Sequence, residues 1–133
     1  MSNAPNSDPR SILETAQAYF RILHESDASG AERLFHPDCH LFHRDGDRIG
    51  SVPLRDYLQI LRTRKAPKDA GHPLSGQVLA VDMTGSDTAL LKVDAWVGKH
   101  RFTDYLSLVR DDGGWRIVAK VYRPVPDEPI GGN

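Results

Sequence analysis

The sequence predicts an α+β fold in which three helices pack on a bent, mostly antiparallel sheet. Apolar residues recur at helical spacing through the first half of the chain. Strand-length segments separated by two-residue turns fill the second half. With 133 residues, 39% of them hydrophobic and 26% charged, the chain has the length and composition of one globular domain.

The predicted domain covers residues 10–123. Residues 1–9 are mostly small and polar and are expected to form a flexible tail. Residues 124–133 contain three Pro and two Gly and are expected to form a second tail.

The first predicted helix follows the N-terminal tail and ends near His24. It begins either at Asp8 and Pro9 or at a capping box of Ser11 and Glu14. Its apolar stripe supplies one face for the core, formed by Ile12, Leu13, Ala16, Tyr19, Phe20 and Leu23.

Two further helices are predicted on either side of a short hairpin. Residues 27–35 form the second, with Asp27 or Ser29 as N-cap, and residues 51–65 form the third. Between them, a strand over 39–44 is expected to turn back through an Asp-Gly pair to residues 48–50.

The remaining chain predicts an antiparallel meander with turns at 85–86, 98–99 and 112–113. Its four strands cover residues 77–84, 88–97, 101–110 and 114–122. Because side chains alternate along a strand, two-residue turns fix which residues share a face. One face is then apolar except for Asp104 and is expected to lie under the helices.

The other face of the predicted meander carries aromatic and charged side chains. On it the same register places Trp96, Tyr105 and Tyr122, together with Arg116 and Lys120. Aromatic residues and arginine are enriched at protein interfaces, so we expect a homodimer through this sheet face. The alternative is an ordinary surface with scattered apolar residues.

The order of elements and three segments resemble the nuclear transport factor 2-like (NTF2-like) superfamily and its α+β cone. The resemblance covers about residues 10–123 and rests on E-R-L-F-H-P-D at 32–38, F-T-D-Y-L-S-L at 102–108 and D-G-G-W-R-I-V-A-K-V-Y at 112–122. It is greatest for the branch named "putative lumazine-binding", beside the SnoaL-like polyketide cyclases. Members include enzymes, transport adaptors and simple binders, so the fold does not choose among these functions.

The resemblance implies a mostly apolar pocket for a small hydrophobic or aromatic ligand, without an organic cofactor. If the protein is an enzyme, we expect an isomerase, dehydratase or cyclase that transfers protons. Asp104 and His43 would then be acid and base, and Tyr19 or Tyr57 would donate to an oxyanion.

Each of these site residues also has a structural reading. A carboxylate on an apolar face is costly to bury unless it is paired or protonated, so Asp104 could be held by Tyr57, His43 or backbone N–H groups. Tyr19 and Tyr57 could be plain core residues. The alternative function is a non-catalytic dimeric association or protein-binding module.

No metal site is predicted, although His36, Asp38, Cys39, His40 and His43 lie within eight positions. Metal ligands must converge on one point, and a strand would direct His40 and His43 to opposite faces. Cys39 reads as a small apolar filler.

The net charge of −1 predicts no nucleic-acid partner, because binding phosphates requires a basic excess. No apolar run approaches the length of a membrane span and no signal peptide is visible, so we expect no membrane partner. With the single cysteine, this favours a cytoplasmic location. A local basic cluster could steer an anionic ligand or form a solvated helix face. Its members are Arg55, Arg62, Arg64, Lys65 and Lys68.

Overall fold

A computed structural model describes residues 8–126 and contains three helices and six strands. In chain order the elements are α1 (Arg10–Glu25), α2 (Ala28–Leu34), β1 (Phe35–Asp45), β2 (Arg48–Pro53), α3 (Leu54–Thr63), β3 (Gly76–Thr84), β4 (Thr88–Val97), β5 (His100–Asp111) and β6 (Gly114–Val125). Most of both predicted tails lies outside the described residues. Pro124 and Val125, assigned to the second tail, instead continue β6.

Side-chain caps begin the first two helices. The Arg10 backbone N–H donates to Asp8 Oδ1 at 2.9 Å, and Pro9 already has a helical φ of −67°. The Asp8–Pro9 start is therefore confirmed over the alternative capping box. At α2, the Gly30 N–H donates to Asp27 Oδ1 at 3.0 Å, which confirms Asp27 as the N-cap.

The hairpin before α3 is longer than the sequence predicts. β1 begins at Phe35, and β2 continues to Pro53 because Val52 pairs with Leu41 across the hairpin. The predicted helix start at residue 51 is therefore wrong. The helix also ends early, at Thr63, since Arg64 is extended with φ −83° and ψ 154°.

The sheet is mixed, with strand order β2-β1-β6-β5-β4-β3. β3 to β6 form the predicted antiparallel meander, and β1 joins it by pairing parallel to β6. Because α3 follows the β1–β2 hairpin, the three helices are not one uninterrupted N-terminal run. This is an α+β fold with helices packed against a six-stranded sheet.

The core lies between the helices and the inner face of the sheet. The apolar stripe of α1 is buried there together with Tyr57, Leu58 and Leu61 of α3. Leu13, which the sequence predicted in this stripe, is instead 41% exposed. The sheet contributes Leu91, Val93, Ala95, Leu106, Leu108 and Ile117. No helix within residues 8–126 has the length and apolar content needed to cross a bilayer.

A β-bulge in β6 changes which side chains face the core. Leu108 lies opposite Ile117, but Ser107 lies opposite Ala119, so Val118 is the extra residue. Every later side chain in β6 is thereby moved to the opposite face. Lys120 is only 6% exposed, whereas its neighbour Val121 is 49% exposed.

The bulge overturns part of the predicted face assignment. Lys120 and Tyr122 lie on the helix side of the sheet, not on the outer face, because one extra residue reverses the alternation after Ile117. Asp104 lies in β5, whose own alternation the bulge in β6 leaves unchanged, and is 1% exposed as its register predicted. Trp96 and Tyr105 remain on the outer face.

Candidate functional site

A cavity of about 250 Å³ lies between the ends of α1 and α3 and the inner face of the sheet. Most of its lining is apolar, and three lining side chains are charged: Asp104, Lys120 and Arg64. The full lining consists of Leu23, Leu41, Val52, Tyr57, Ile60, Arg64, Val97, Phe102, Asp104, Lys120 and Tyr122.

The Asp104 carboxylate is held by two groups from different elements. The Tyr19 hydroxyl, on α1, donates to Oδ2 at 2.5 Å, and the Lys120 ammonium lies 3.8 Å from the same oxygen. The second oxygen, Oδ1, has no hydrogen-bond partner among residues 8–126. The charge of Asp104 is therefore balanced by Lys120, but only one of its two carboxylate oxygens accepts a hydrogen bond within residues 8–126.

Three tyrosine rings surround the ammonium group of Lys120. Its Nζ lies 5.2 Å from the ring centre of Tyr19, 5.1 Å from that of Tyr57 and 5.3 Å from that of Tyr122. The electron-rich faces of aromatic rings attract a cation at such distances. Burial works to lower the pKa of Lys120, but Tyr57, Asp104 and Tyr122 outweigh it and raise the pKa. The group is therefore a fixed positive charge at neutral pH.

Tyr19 and Tyr57 occupy different positions relative to the cavity. Tyr19 is fully buried behind Asp104, and burial, reinforced by the Asp104 carboxylate, raises its pKa well above the usual range. Tyr57 lines the cavity and packs on the Phe35 ring at 5.7 Å. The Tyr19 hydroxyl is thus committed to Asp104, while Tyr57 is placed against the cavity space.

His43 is connected to this group through Tyr122. Its Nδ1 lies 3.2 Å from the Tyr122 hydroxyl, and Tyr122 is opposite Asp104 in the β5–β6 register. The imidazole also packs over Gly50, where an added Cβ would lie 2.4 Å from the ring. Among the described residues, no hydrogen bond joins His43 to Asp104, so the two predicted acid–base residues are not in direct contact.

Arg64 enters the cavity wall from the residue that follows α3. Its Nε donates to Ser26 Oγ at 2.8 Å, and Nη2 lies 3.4 Å from the Leu23 carbonyl oxygen. No acidic side chain in the described part of the chain forms an ion pair with it. Arg64 is therefore separated from the rest of the predicted basic cluster. Because α3 ends at Thr63, the Arg64 side chain lies in the cavity wall.

Sequence reasoning missed Lys120, Tyr122 and Arg64 as lining residues. For the first two, the bulge that redirects them has no glycine or proline to mark it in the sequence. A usable signal did exist, because a lone carboxylate on an apolar face requires a cation nearby. Lys120, on the adjacent strand β6, supplies this cation.

The histidine-rich segment of β1 forms local contacts. The Asp38 N–H donates to His36 Nδ1 at 3.1 Å, and the His40 ring stacks on Phe42 with a centroid distance of 6.2 Å. Within residues 8–126 there is no group of three or more His, Cys, Asp or Glu side chains arranged to hold a metal.

Three helices packed on a mixed six-stranded sheet, with a cavity between them, are the architecture of an NTF2-like α+β protein. The chain belongs to the family described as "Putative lumazine-binding", whose model matches residues 7–123. This confirms the resemblance inferred from the three sequence segments.

Similar proteins extend this comparison. The aldolase FrzH of Cladobotryum sp. is 28% identical over 126 residues, which cover 91% of this chain and 94% of that protein. An NTF2-like protein of unknown function from Silicibacter pomeroyi aligns with a TM-score of 0.75 and 25% identity, covering 87% of this chain and 94% of the other. A calmodulin-dependent kinase II (CaMKII) hub from S. rosetta shares the fold, with a TM-score of 0.61, 17% identity and coverage of 94% and 100%.

Proposed function

We propose that the helices and sheet form a cone around a small-molecule site, and that the protein catalyses proton transfer next to a ligand carbonyl. The observation that carries this proposal is the Asp104–Lys120 pair in the wall of a mostly apolar cavity. Cavities with a few convergent polar groups are the usual form of a small-molecule site. The volume of about 250 Å³ suits a hydrophobic or aromatic ligand of one or two rings.

The chemistry follows from the positions of the two charged groups in the cavity wall. Asp104 Oδ1, which has no hydrogen-bond partner among the described residues, accepts a proton from the carbon beside the ligand carbonyl. The negative charge that develops on the carbonyl oxygen is stabilised by the Lys120 ammonium, with Tyr57 as a hydroxyl donor. Return of the proton to a different carbon completes an isomerisation. Dehydration is completed when the enolate expels a hydroxyl group from the neighbouring carbon, with formation of a carbon–carbon double bond, and the proton held by Asp104 is transferred to that hydroxyl, which leaves as water.

Tyr19 and His43, which do not line the cavity, assist this step through the residues they contact. Tyr19 fixes the Asp104 carboxylate by donating to Oδ2, so it is a positioning residue in this scheme. His43 exchanges protons with the site through Tyr122, to which it is hydrogen-bonded. The proposal requires no organic cofactor and no metal.

The name of one relative supports the same reaction class. Aldol reactions that proceed through an enolate begin with removal of a proton beside a carbonyl, and the Cladobotryum protein is called an aldolase. The raised pKa of Lys120 favours its acting as a cation rather than as an amine that forms a Schiff base.

Hydrogen–deuterium exchange in a simple ketone tests the proposal. With 2-tetralone in D₂O, we expect the protein to accelerate loss of the NMR signals of the protons beside the carbonyl. Asp104→Asn should lower this rate by about 100-fold or more, because it removes the base. Asp82→Asn, which changes an exposed carboxylate on β3, should leave the rate unchanged. Equal rates for the wild type and Asp104→Asn would contradict the catalytic role.

A second function, association with another protein chain, is favoured by the outer face of the sheet. We define the outer apolar patch as Phe42, Ile49, Leu90, Tyr105, Val109 and Val121. Five of these six are at least 40% exposed, and Val121 lies opposite both Tyr105 and Phe42 in the sheet. A contiguous apolar patch is typical of an interaction surface. We propose that it forms a homodimer, which is compatible with a ligand site on the inner face.

A further inference from the structure

We infer that the cavity selects an organic anion, a small ring compound that carries a carboxylate held by Lys120 and Arg64. Asp104 Oδ1 then accepts a hydrogen from the ligand, which is that of the reacting carbon in a substrate and that of a hydroxyl in a non-reacting ligand. This inference rests on the proposed function only in taking the cavity as a ligand site. It adds the charge and the hydrogen-bonding groups of the ligand.

The charges of the cavity wall do not balance. Two of the lining side chains are cationic, Lys120 and Arg64, and one is anionic, Asp104. The wall therefore has an excess of one positive charge. Asp104 pairs with Lys120, so Arg64 is the cation without an acidic partner in the described chain. A ligand with one negative charge completes the balance.

The buried ion pair also has hydrogen-bonding capacity that the described residues leave unused. A lysine ammonium has three N–H donors, and the Asp104 oxygen 3.8 Å from Nζ is beyond hydrogen-bond distance. The three neighbouring tyrosines present ring faces to Nζ, at 5.1 to 5.3 Å from the ring centres. Lys120 thus offers donors to a ligand oxygen, whereas Asp104 Oδ1 requires a donor.

The surroundings of these groups strengthen a bound anion's interaction with them. Arg64 is half-buried in the wall of the same cavity as Lys120 and Asp104, which are 6% and 1% exposed, so water screens charges there less than at the surface. An anion bound in the cavity would give Arg64 the acidic partner that the described chain does not provide. Arg64 is also held in place by Ser26 and Leu23, which reduces the conformational entropy lost when a ligand binds.

A matched pair of probes tests the inference by isothermal titration calorimetry. One probe is 6-hydroxynaphthalene-2-carboxylate, and the other is its methyl ester, which keeps the rings and the hydroxyl but has no charge. We expect the acid to bind at least about 10-fold more tightly than the ester, a difference of about 1.4 kcal/mol.

Two variants locate the origin of this preference. Arg64→Gln should reduce the preference for the acid toward equality, while Arg62→Gln, which changes an exposed residue near the end of α3, should retain it. The double variant Lys120→Met/Asp104→Asn removes both members of the ion pair together and leaves no buried charge unpaired. It should also reduce the preference, and its urea denaturation curve verifies that it is folded.

The outcomes separate the inference from the proposed function. Binding of the ester as tight as that of the acid would overturn the anion inference and leave the cavity as a site for neutral ligands. A preference that is unchanged in Arg64→Gln and in the double variant would place the anion elsewhere and overturn the inference as well. Binding of neither probe would overturn both proposals.

Discussion

Asp104 and Lys120 are the two buried charged residues of the described chain, and each lowers the free-energy cost of burying the other. The ammonium neutralises the carboxylate at 3.8 Å, and Tyr19 donates to the oxygen that they share. Removing one member of such a pair leaves an isolated buried charge, which is more costly than removing both. The stability of the protein therefore depends on the pair more than on either residue.

Single and double substitutions should show this dependence. If Asp104 had no strong cationic partner, Asp104→Asn would remove an unfavourable buried charge, and stability would hold or rise. Because Lys120 lies beside Asp104, we instead expect Asp104→Asn to lower the free energy of unfolding by about 2–4 kcal/mol. Lys120→Met should lower the free energy of unfolding by a similar amount. The double variant Lys120→Met/Asp104→Asn should recover most of this loss. Urea denaturation gives these values, with Asp82→Asn as the exposed control. Additive losses in the double variant would show that the two charges do not interact.

Loss of stability in Asp104→Asn therefore cannot by itself separate a catalytic from a structural Asp104. Both roles leave the same ammonium group unpaired when the carboxylate is removed. Proton exchange in a ketone and stability must be measured on the same variant for the two roles to be separated.

Cys39 provides a prediction about pH. Burial raises the pKa of its thiol to about 11 from an unperturbed value of 9.0, with Lys120 opposing the shift. Because the folded state holds the proton more tightly, this contribution to stability is complete below about pH 9 and is lost as the pH rises through about 11.

Comparison with Cys39→Ala isolates this contribution. The free energy of unfolding of the wild type should fall more steeply between pH 9 and 11 than that of the variant, since only the wild type has a thiol to ionise. Urea denaturation at each pH measures both slopes. Parallel slopes would mean that the Cys39 thiol has the same pKa in the folded and unfolded states.

Among the elements, strand β6 decides the composition of the interior. Its bulge at Val118 sends Lys120 and Tyr122 inward, and Ala119 and Val121 outward. Without that extra residue, Asp104 would face apolar neighbours and the cavity would lack its lysine. Bulges commonly redirect side chains next to functional sites.

The sequence predicted most of the other elements and their register because local signals marked them. The meander turns, the Asp8–Pro9 start of α1 and the Asp27 cap of α2 involve residues that are close in the chain. The predicted start of α3 was wrong because residues 51–53 pair with β1, a contact that helical spacing does not reveal.

At the scale of the whole molecule, the sheet has two faces with different proposed tasks. The inner face carries the cavity, and the outer face carries the outer apolar patch. The predicted dimer surface must therefore be revised, because Tyr122 and Lys120 lie on the inner side and Val121 occupies the outer side. Trp96 and Tyr105 keep the positions that the register gave them.

Charge placed on the patch should weaken the proposed dimer. Val121→Asp would desolvate a carboxylate at the interface, so we expect the dimer to dissociate at concentrations at least about 10-fold higher than the wild type. Leu13→Asp is a suitable control, because Leu13 is 41% exposed on α1, away from the sheet. Sedimentation velocity across a concentration series measures both. A wild type that is monomeric throughout the micromolar range would contradict the dimer.

The sequence by itself determined the fold class, the β4–β5 register and the burial of Asp104. These follow from hydrophobic periodicity and turn chemistry, which act over a few neighbouring residues. The tertiary structure alone decided that Lys120, Tyr122 and Arg64 line the cavity. Their placement depends on a one-residue bulge in β6 and on the early end of α3, where packing between distant segments prevails over local alternation.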